Sequence, residues 1–409
     1  MMKMLKALMV MCVLLPLQAC DSDSDNGGAM PMAPEVDMAV EEPTPLPMPE
    51  VGVWETVRPG GETLCSRGSE YRFYFRGGDP AKVMVYFQGG GACWDDFTCS
   101  VADAIFSDRV TEPEDFNLLA EQFDFGVFDT SEDSPYKDYT LLYIPYCTGD
   151  VHWGDATVEY ANELTIHHRG YQNTQAALNY LYERVFEPRE VFVTGCSAGA
   201  YGSVLNSVMI AEHYSDTRMA VLADSGSGII TDTFLNDSFP GWNALAHLPP
   251  TLTRLMAPLE TLSIKDVYQA ITESYPQHRF AQHTTEFDSD QTFFFEAMGG
   301  DFREWSGKQR ELLRSLDETQ DNFRVYLAPG PLHCIGAYPY FSERVTNGVR
   351  FADWQRQFIE GDTMPESVYC EGLDCFEDDF CEQCAANDGG PGCRFCNQWP
   401  ERYDDRRQA

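Results

Sequence analysis

The chain has 409 residues, 43% hydrophobic and 13% aromatic, which is enough to bury a sizeable core in one large or two medium domains. Lys and Arg total 28 against 65 Asp and Glu, a formal net charge of −37. A surface of that sign repels nucleic acid and anionic lipid headgroups, so no nucleic-acid partner is expected without a local basic groove.

In chain order, Lys3 and Lys6 precede the apolar run Ala7 to Leu17, which is too short to span a bilayer comfortably and closes on Leu17-Gln18-Ala19-Cys20. That ending resembles a bacterial lipobox. It implies a signal peptide over 1–19, lipidation of the Cys20 thiol and a membrane anchor in the bacterial cell envelope without a transmembrane helix. A plain secretory signal is the alternative, and either version exports the protein. Residues 20–52, rich in Asp and Ser and then in Pro, Met and Glu, carry no helical or strand periodicity and are expected to be a tether. An α/β domain is expected over 53–362 and a Cys-rich tail over 363–409.

Tyr71 to Phe75 and Val83 to Phe87 are predicted strands, separated by the turn residues Gly77-Gly78-Asp79-Pro80. The second strand runs into Gln88-Gly89-Gly90-Gly91-Ala92-Cys93. A Gly-Gly-Gly run alone is usually a flexible loop, but directly after an early strand it exposes successive backbone N–H groups. Leu141 to Tyr146 is a further predicted strand, and a helix is predicted from Gly170 to Val185. It leads to Val191-Phe-Val-Thr-Gly195-Cys-Ser197-Ala-Gly199 and a helix-compatible run to His213. An apolar strand meeting G-x-S-x-G and then a helix is the setting of a nucleophile elbow, with Ser197 as candidate nucleophile. Met219 to Ala223 is another strand. The β–α–β–α–β rhythm predicts an α/β-hydrolase-like, mostly parallel sheet with helices on both faces.

The rhythm breaks over 240–275, where Leu245, Leu248, Leu252, Leu255, Met256 and Leu259 suggest a helical insertion and Ser263-x-x-Asp266 suggests a capped helix start. Ordinary crossover helices are an equal reading. The chain order Ser, acid, His then directs attention downstream. His333 follows the predicted strand beginning at Phe323 and a Pro-Gly-Pro loop, so it is the candidate base. His152, His167, His168, His278 and His283 are read as surface, structural or substrate-contacting. The predicted strand Arg279 to Thr285 delivers Asp288-Ser289-Asp290, and chemistry alone does not choose between the two carboxylates.

At this point the chain resembles the pectin acetylesterases and the Notum-type carboxylesterases over most of residues 55–350. The resemblance lies in Phe87-Gln-Gly-Gly-Gly-Ala-Cys93, Ile144-Pro-Tyr-Cys147 followed by Gly154-Asp155, His168-Arg169-Gly170, Gly195-Cys-Ser-Ala-Gly199, Asp224-Ser-Gly226 and Asp288-Ser-Asp-Gln291. It implies a triad of Ser197, Asp288 and His333, with an oxyanion site at Gly90, Gly91 and Ala198 and no cofactor. The substrate implied is an O-acyl ester, foremost O-acetyl on a carbohydrate; a Notum-type long-chain deacylase, another hydrolase on the same scaffold, or a non-catalytic surface-binding lipoprotein are alternatives. Ala92 and Asp290 stand where the family has Trp, and His168 where Phe is usual. Loss of the two Trp side chains predicts a more open and more negative site.

Of fourteen cysteines, Cys12 lies in the leader and Cys20 at its end, leaving an even number for an oxidising compartment. The resemblance implies Cys65–Cys147 and Cys93–Cys99 bridges. Cys196 could be a buried thiol or pair with Cys334. The tail cysteines 370, 375, 381, 384, 393 and 396 are expected to form bridges, a zinc ribbon being the lesser reading.

Overall fold

The computed structural model describes residues 44–102, 105–110, 126–248, 252 and 263–376. The chain divides into Met1–Thr44 and Pro45–Ala409, and the described elements lie in the second. The expected leader, Cys20, most of the tether and tail cysteines 381, 384, 393 and 396 fall outside these residues. Leu46 N donates to Glu183 O at 2.8 Å, so the chain is tied to the domain ahead of the boundary expected at Val53.

Strands β1 (Trp54–Val57), β2 (Phe73–Arg76), β3 (Asp79–Phe87) and β4 (Tyr139–Ile144) form one side of the main sheet. Between β3 and β4 lies a short helix, α1 (Asp96–Ser100), and after β4 comes a separate hairpin, β5 (Ala156–Tyr160) with β6 (Leu164–His168). Helix α2 (Gly170–Tyr182) precedes β7 (Glu190–Cys196), α3 (Ala198–His213) and β8 (Arg218–Asp224). Then follow α4 (Ile264–Ser274), β9 (Arg279–Thr285), α5 (Ser289–Ala297), α6 (Phe302–Thr319) and β10 (Phe323–Ala328). A two-strand pair, β11 (Val345–Thr346) and β12 (Val349–Arg350), leads to α7 (Phe351–Glu360) and β13 (Val368–Tyr369).

The main sheet runs β1-β2-β4-β3-β7-β8-β9-β10-β13. Pairings are antiparallel at β1/β2 and β2/β4 and parallel from β4 through β13. Side chains alternate across the sheet with a period of two, so the central strands feed two cores. Val83, Val85 and Phe87 of β3 enter one core with Val191 and Val193 of β7; α2, α3, α4 and α6 cover it through Leu178, Val204, Ile271 and Leu313. Met84, Tyr86 and Phe192 enter the other, which α7 closes with Phe351, Trp354, Phe358 and Ile359. Burial of each such side chain stabilises the fold by about 1.5–3 kcal/mol relative to exposure.

Two sequence expectations need correction. Asp79 and Pro80 are not turn residues but the exposed start of β3, where the register with β4 is irregular between Asp79 and Val83 and a proline is tolerated. The expected helical insertion is absent at its start: Phe239–Trp242 is a short 3-10 turn, and Leu245 lies in a turn. Leu255, Met256 and Leu259 lie outside the described residues. The capped start at 263 is present. Ser263 Oγ accepts from Asp266 N at 3.3 Å and Asp266 Oδ2 accepts from Ser263 N at 2.7 Å, a reciprocal pair that caps the start of α4.

Candidate active site

Parallel register brings the loops after β3, β7, β8, β9 and β10 out at one edge of the sheet. Phe87 pairs with Gly195, Cys196 with Asp224, Asp224 with His283 and Thr285 with Ala328. In open α/β sheets this carboxyl edge is where ligands bind.

Ser197 sits between β7 and α3 with φ 58° and ψ −121°, a strained backbone for a residue with a side chain. Close packing holds it there. A Cβ on Gly199 would lie 2.0 Å from Phe87 O, and one on Gly195 2.4 Å from Gly199 O, so only glycine permits strand and helix to fold back this tightly. Ser197 N donates to Asp224 O at 2.9 Å.

The glycine loop lies against this elbow, since a Cβ on Gly89 would approach Cys196 O to 2.5 Å and Ser197 Cβ to 3.0 Å. Gly91 has φ 74° and its missing Cβ would sit 1.9 Å from Ile105 O. Behind the loop, His152 Nε2 lies 2.9 Å from Gln88 O; burial lowers its pKa to about 4, so the ring is neutral. His168 is likewise buried and lowered to about 4 by burial, held between Thr148 O at 3.0 Å and Tyr160 Oη at 3.1 Å. Both histidines are structural.

His333 Nδ1 lies 2.8 and 2.9 Å from the two carboxylate oxygens of Asp288. Asp288 is fully buried, and an isolated buried carboxylate would be strongly unfavourable. Its oxygens accept from the N–H groups of Asp290 (3.1 Å) and Gln291 (3.0 Å) and from Gln291 Nε2 (2.9 Å). Asp290 stands elsewhere, with Oδ2 3.9 Å from His333 Nε2. The choice that chemistry left open is therefore geometric: Asp288 bonds Nδ1. Burial disfavours the imidazolium of His333, but Asp288 first, then Asp290 and Asp224, outweigh it and raise the pKa to about 9.

Asp224 and Ser225, with no role assigned from the sequence, and His283, one of whose readings is structural, fix the His333 loop. Asp224 Oδ2 accepts from Ile335 N at 2.9 Å and Gly336 N at 2.7 Å, while its Oδ1 lies 2.7 Å from His283 Nδ1. Ser225 Oγ accepts from Cys334 N at 2.9 Å. His283 thus belongs to the scaffold rather than to the surface. A Cys196–Cys334 disulfide joins the residue before Ser197 to the residue after His333, and Cys65–Cys147, Cys93–Cys99 and Cys370–Cys375 are also bridged. Four bridges among the described residues fit an exported protein in an oxidising compartment.

The described residues contain three groupings with metal-ligand spacing: Cys93, Cys99 and His168; Cys196, His333 and Cys334; and Glu286, Cys370 and Cys375. In each, both cysteines are joined in a disulfide and offer no thiolate. No helix among the described residues is long and apolar enough to cross a membrane.

Ser197, Ala198, Gly91 and His333 line one cavity of about 70 Å³. Most of its remaining wall is aromatic and aliphatic, with Trp153, Phe234, Phe239, Trp242, Phe294 and Met298 among its residues and Ser225 and Gln291 as polar members. Trp242 is anchored by Nε1 donating to Cys93 O at 3.0 Å and packs edge-on against Phe234 and Phe239. Ala92 is part of this lining beside aromatics from distant segments, and Asp290, outside the lining, still places a carboxylate oxygen 3.9 Å from His333 Nε2, so the site carries negative charge as expected of that position.

A strained serine at a strand–helix turn, a glycine loop beside it and a carboxylate-bonded histidine on the same cavity have the layout found in α/β-hydrolase folds. The sequence model of the pectinacetylesterase family matches residues 56–238. Pectin acetylesterase 4 of Arabidopsis thaliana is 24% identical over 171 residues, 40% of this chain and 40% of that protein, and pectin acetylesterase 5 of the same plant is 24% identical over 171 residues, 40% and 39%. The palmitoleoyl-protein carboxylesterase NOTUM of Schmidtea mediterranea is 28% identical over 156 residues, 35% of this chain and 27% of that protein. The chain therefore spans about two fifths of the length of the plant relatives and about a quarter of the planarian one. These matches make the chain similar to the pectin acetylesterases and Notum carboxylesterases, the family its motifs resemble.

Proposed function

We propose that the protein is a serine carboxylesterase that cleaves short O-acyl esters, acetate foremost, from a carbohydrate or similar polyol. The observation that carries this reading is that Asp288-bonded His333 and the elbow residue Ser197 share one cavity wall. His333 Nε2 takes the proton as Ser197 Oγ adds to the ester carbonyl, and Asp288 keeps Nδ1 protonated and the ring aligned. The N–H groups of Gly90, Gly91 and Ala198 hold the oxyanion. Collapse of the tetrahedral adduct expels the alcohol, which takes the proton from Nε2; water then hydrolyses the acyl-enzyme by the same steps.

Acyl length is set by the cavity. About 70 Å³ takes the centres of roughly five to seven water-sized groups, so an acetyl group fits with room for a few further methylenes and a sixteen-carbon chain does not. Each methylene that does enter adds about 0.8 kcal/mol of apolar burial. In a series of p-nitrophenyl esters from acetate to palmitate, kcat/KM is expected to be highest at or below about six carbons and at least tenfold lower beyond eight. An optimum at eight carbons or longer would move the reading to a long-chain deacylase. The Leu17-Gln-Ala-Cys20 ending supports delivery of this activity as a lipoprotein of the cell envelope.

A further inference from the structure

His333 has a second carboxylate on its other nitrogen. Asp288 occupies Nδ1, whereas Asp290 Oδ2 lies 3.9 Å from Nε2, the nitrogen that must serve the Ser197 hydroxyl. Asp290 is in the first turn of α5, two residues beyond Asp288, with its side chain 32% exposed at the rim of the site. A carboxylate with no part in orienting the imidazole is a departure from the plain triad, in which one acid suffices.

We propose that Asp290 is a positioning residue that acts through His333: its charge holds the imidazolium form at Nε2 and thereby moves the working range of the site to alkaline pH. The proposal rests on the reading of His333 as the general base.

The charged and titratable groups that bear on His333 come from four elements. Asp288 and Asp290 belong to the α5 start, Asp224 to the end of β8 with His283 of β9 as its partner, and Tyr201 to α3 beside Ser197. Burial raises Tyr201 to about 12, so it is neutral through the working range. Asp288 and Asp224 spend their oxygens on N–H donors that also fix the acid turn and the histidine loop. Asp290 faces the nitrogen that changes protonation during the reaction. An opposite charge at this separation shifts a titrating group by roughly one unit or more toward its charged form. The resulting pKa of about 9 leaves about one His333 in a hundred neutral at pH 7. Rate should therefore climb about tenfold per pH unit until the imidazole is neutral, while the imidazolium formed on attack is stabilised.

The test is kcat/KM against pH for the wild type, Asp290→Asn, Asp290→Ser and Asp290→Glu on a short p-nitrophenyl ester, with the His333 ring titrated by NMR in each protein. Removing the negative charge should lower the ring midpoint and the acid limb together by roughly one pH unit, raising kcat/KM at pH 7 several-fold while the alkaline plateau falls. Asp290→Glu should restore both toward the wild type. Ring midpoints that coincide in wild type, Asp290→Asn and Asp290→Ser overturn the proposal. A ring midpoint that falls without a matching shift in rate overturns the base assignment of His333 rather than the hold of Asp290.

Discussion

Ser197→Ala and His333→Ala are each expected to lower kcat by roughly a million-fold, and Asp288→Asn by roughly ten-thousand-fold, with the fold retained. On the proposed mechanism the losses should not be additive, because a nucleophile, base and acid that act as one unit fail together; the double variant should be no worse than either single one. Folding should survive. Ser197 contributes no hydrophobic core, and in His333→Ala the buried Asp288 keeps the N–H groups of Asp290 and Gln291 and the Gln291 amide. Residual activity within tenfold of wild type for Ser197→Ala, at unchanged Tm, would remove the serine mechanism.

The second large effect is on stability. The Cys196–Cys334 bridge joins residues 138 apart and ties the elbow strand to the histidine loop. Restriction of the unfolded chain by a loop of that size is worth about 5 kcal/mol in the chain-entropy description, against about 2 kcal/mol for the six-residue Cys93–Cys99 loop. Replacing both Cys196 and Cys334 with Ala should lower Tm by roughly 10 °C, and replacing Cys93 and Cys99 by less than half of that. Activity should fall only about tenfold at temperatures where the fold persists, because Asp224 and Ser225 still grip the loop through three backbone N–H groups. Thermal unfolding followed by circular dichroism decides this, and equal Tm values for the two double variants would contradict it.

Much of the frame was legible in the sequence because the signals were local. The central strands are buried on both faces and read as unbroken apolar runs, and the elbow is written in two glycines that packing permits nowhere else to vary. The predicted strand at Arg279–Thr285 and the capped helix start at Ser263 match the observed elements. Asp288 was separable from Asp290 only through a family motif, since both are carboxylates at the start of one helix; which one meets Nδ1 depends on where β10 delivers His333.

What the sequence concealed is non-local. Nothing near His283 announces that strand register sets it opposite Asp224, or that Asp224 then holds Ile335 and Gly336 from more than a hundred residues away. The cavity wall has the same character. Ala92 and Asp290 stand where tryptophans were expected, while the aromatic wall comes from Trp242 and Phe234, in a segment with no regular periodicity. The family match over 56–238 includes the glycine loop and Ser197 but stops short of Asp288 and His333, so the geometry of those two residues supplies what the comparison does not reach.

The serine reading is tested most directly by treating the folded protein with a fluorophosphonate and mapping the adduct by peptide mass spectrometry. A single adduct on the peptide containing Ser197 is expected, formed faster as pH rises toward 9 and abolished by His333→Ala. An unlabelled Ser197 in the folded wild type, or an adduct on a different serine, would contradict it and leave the chain a binding protein on a hydrolase scaffold.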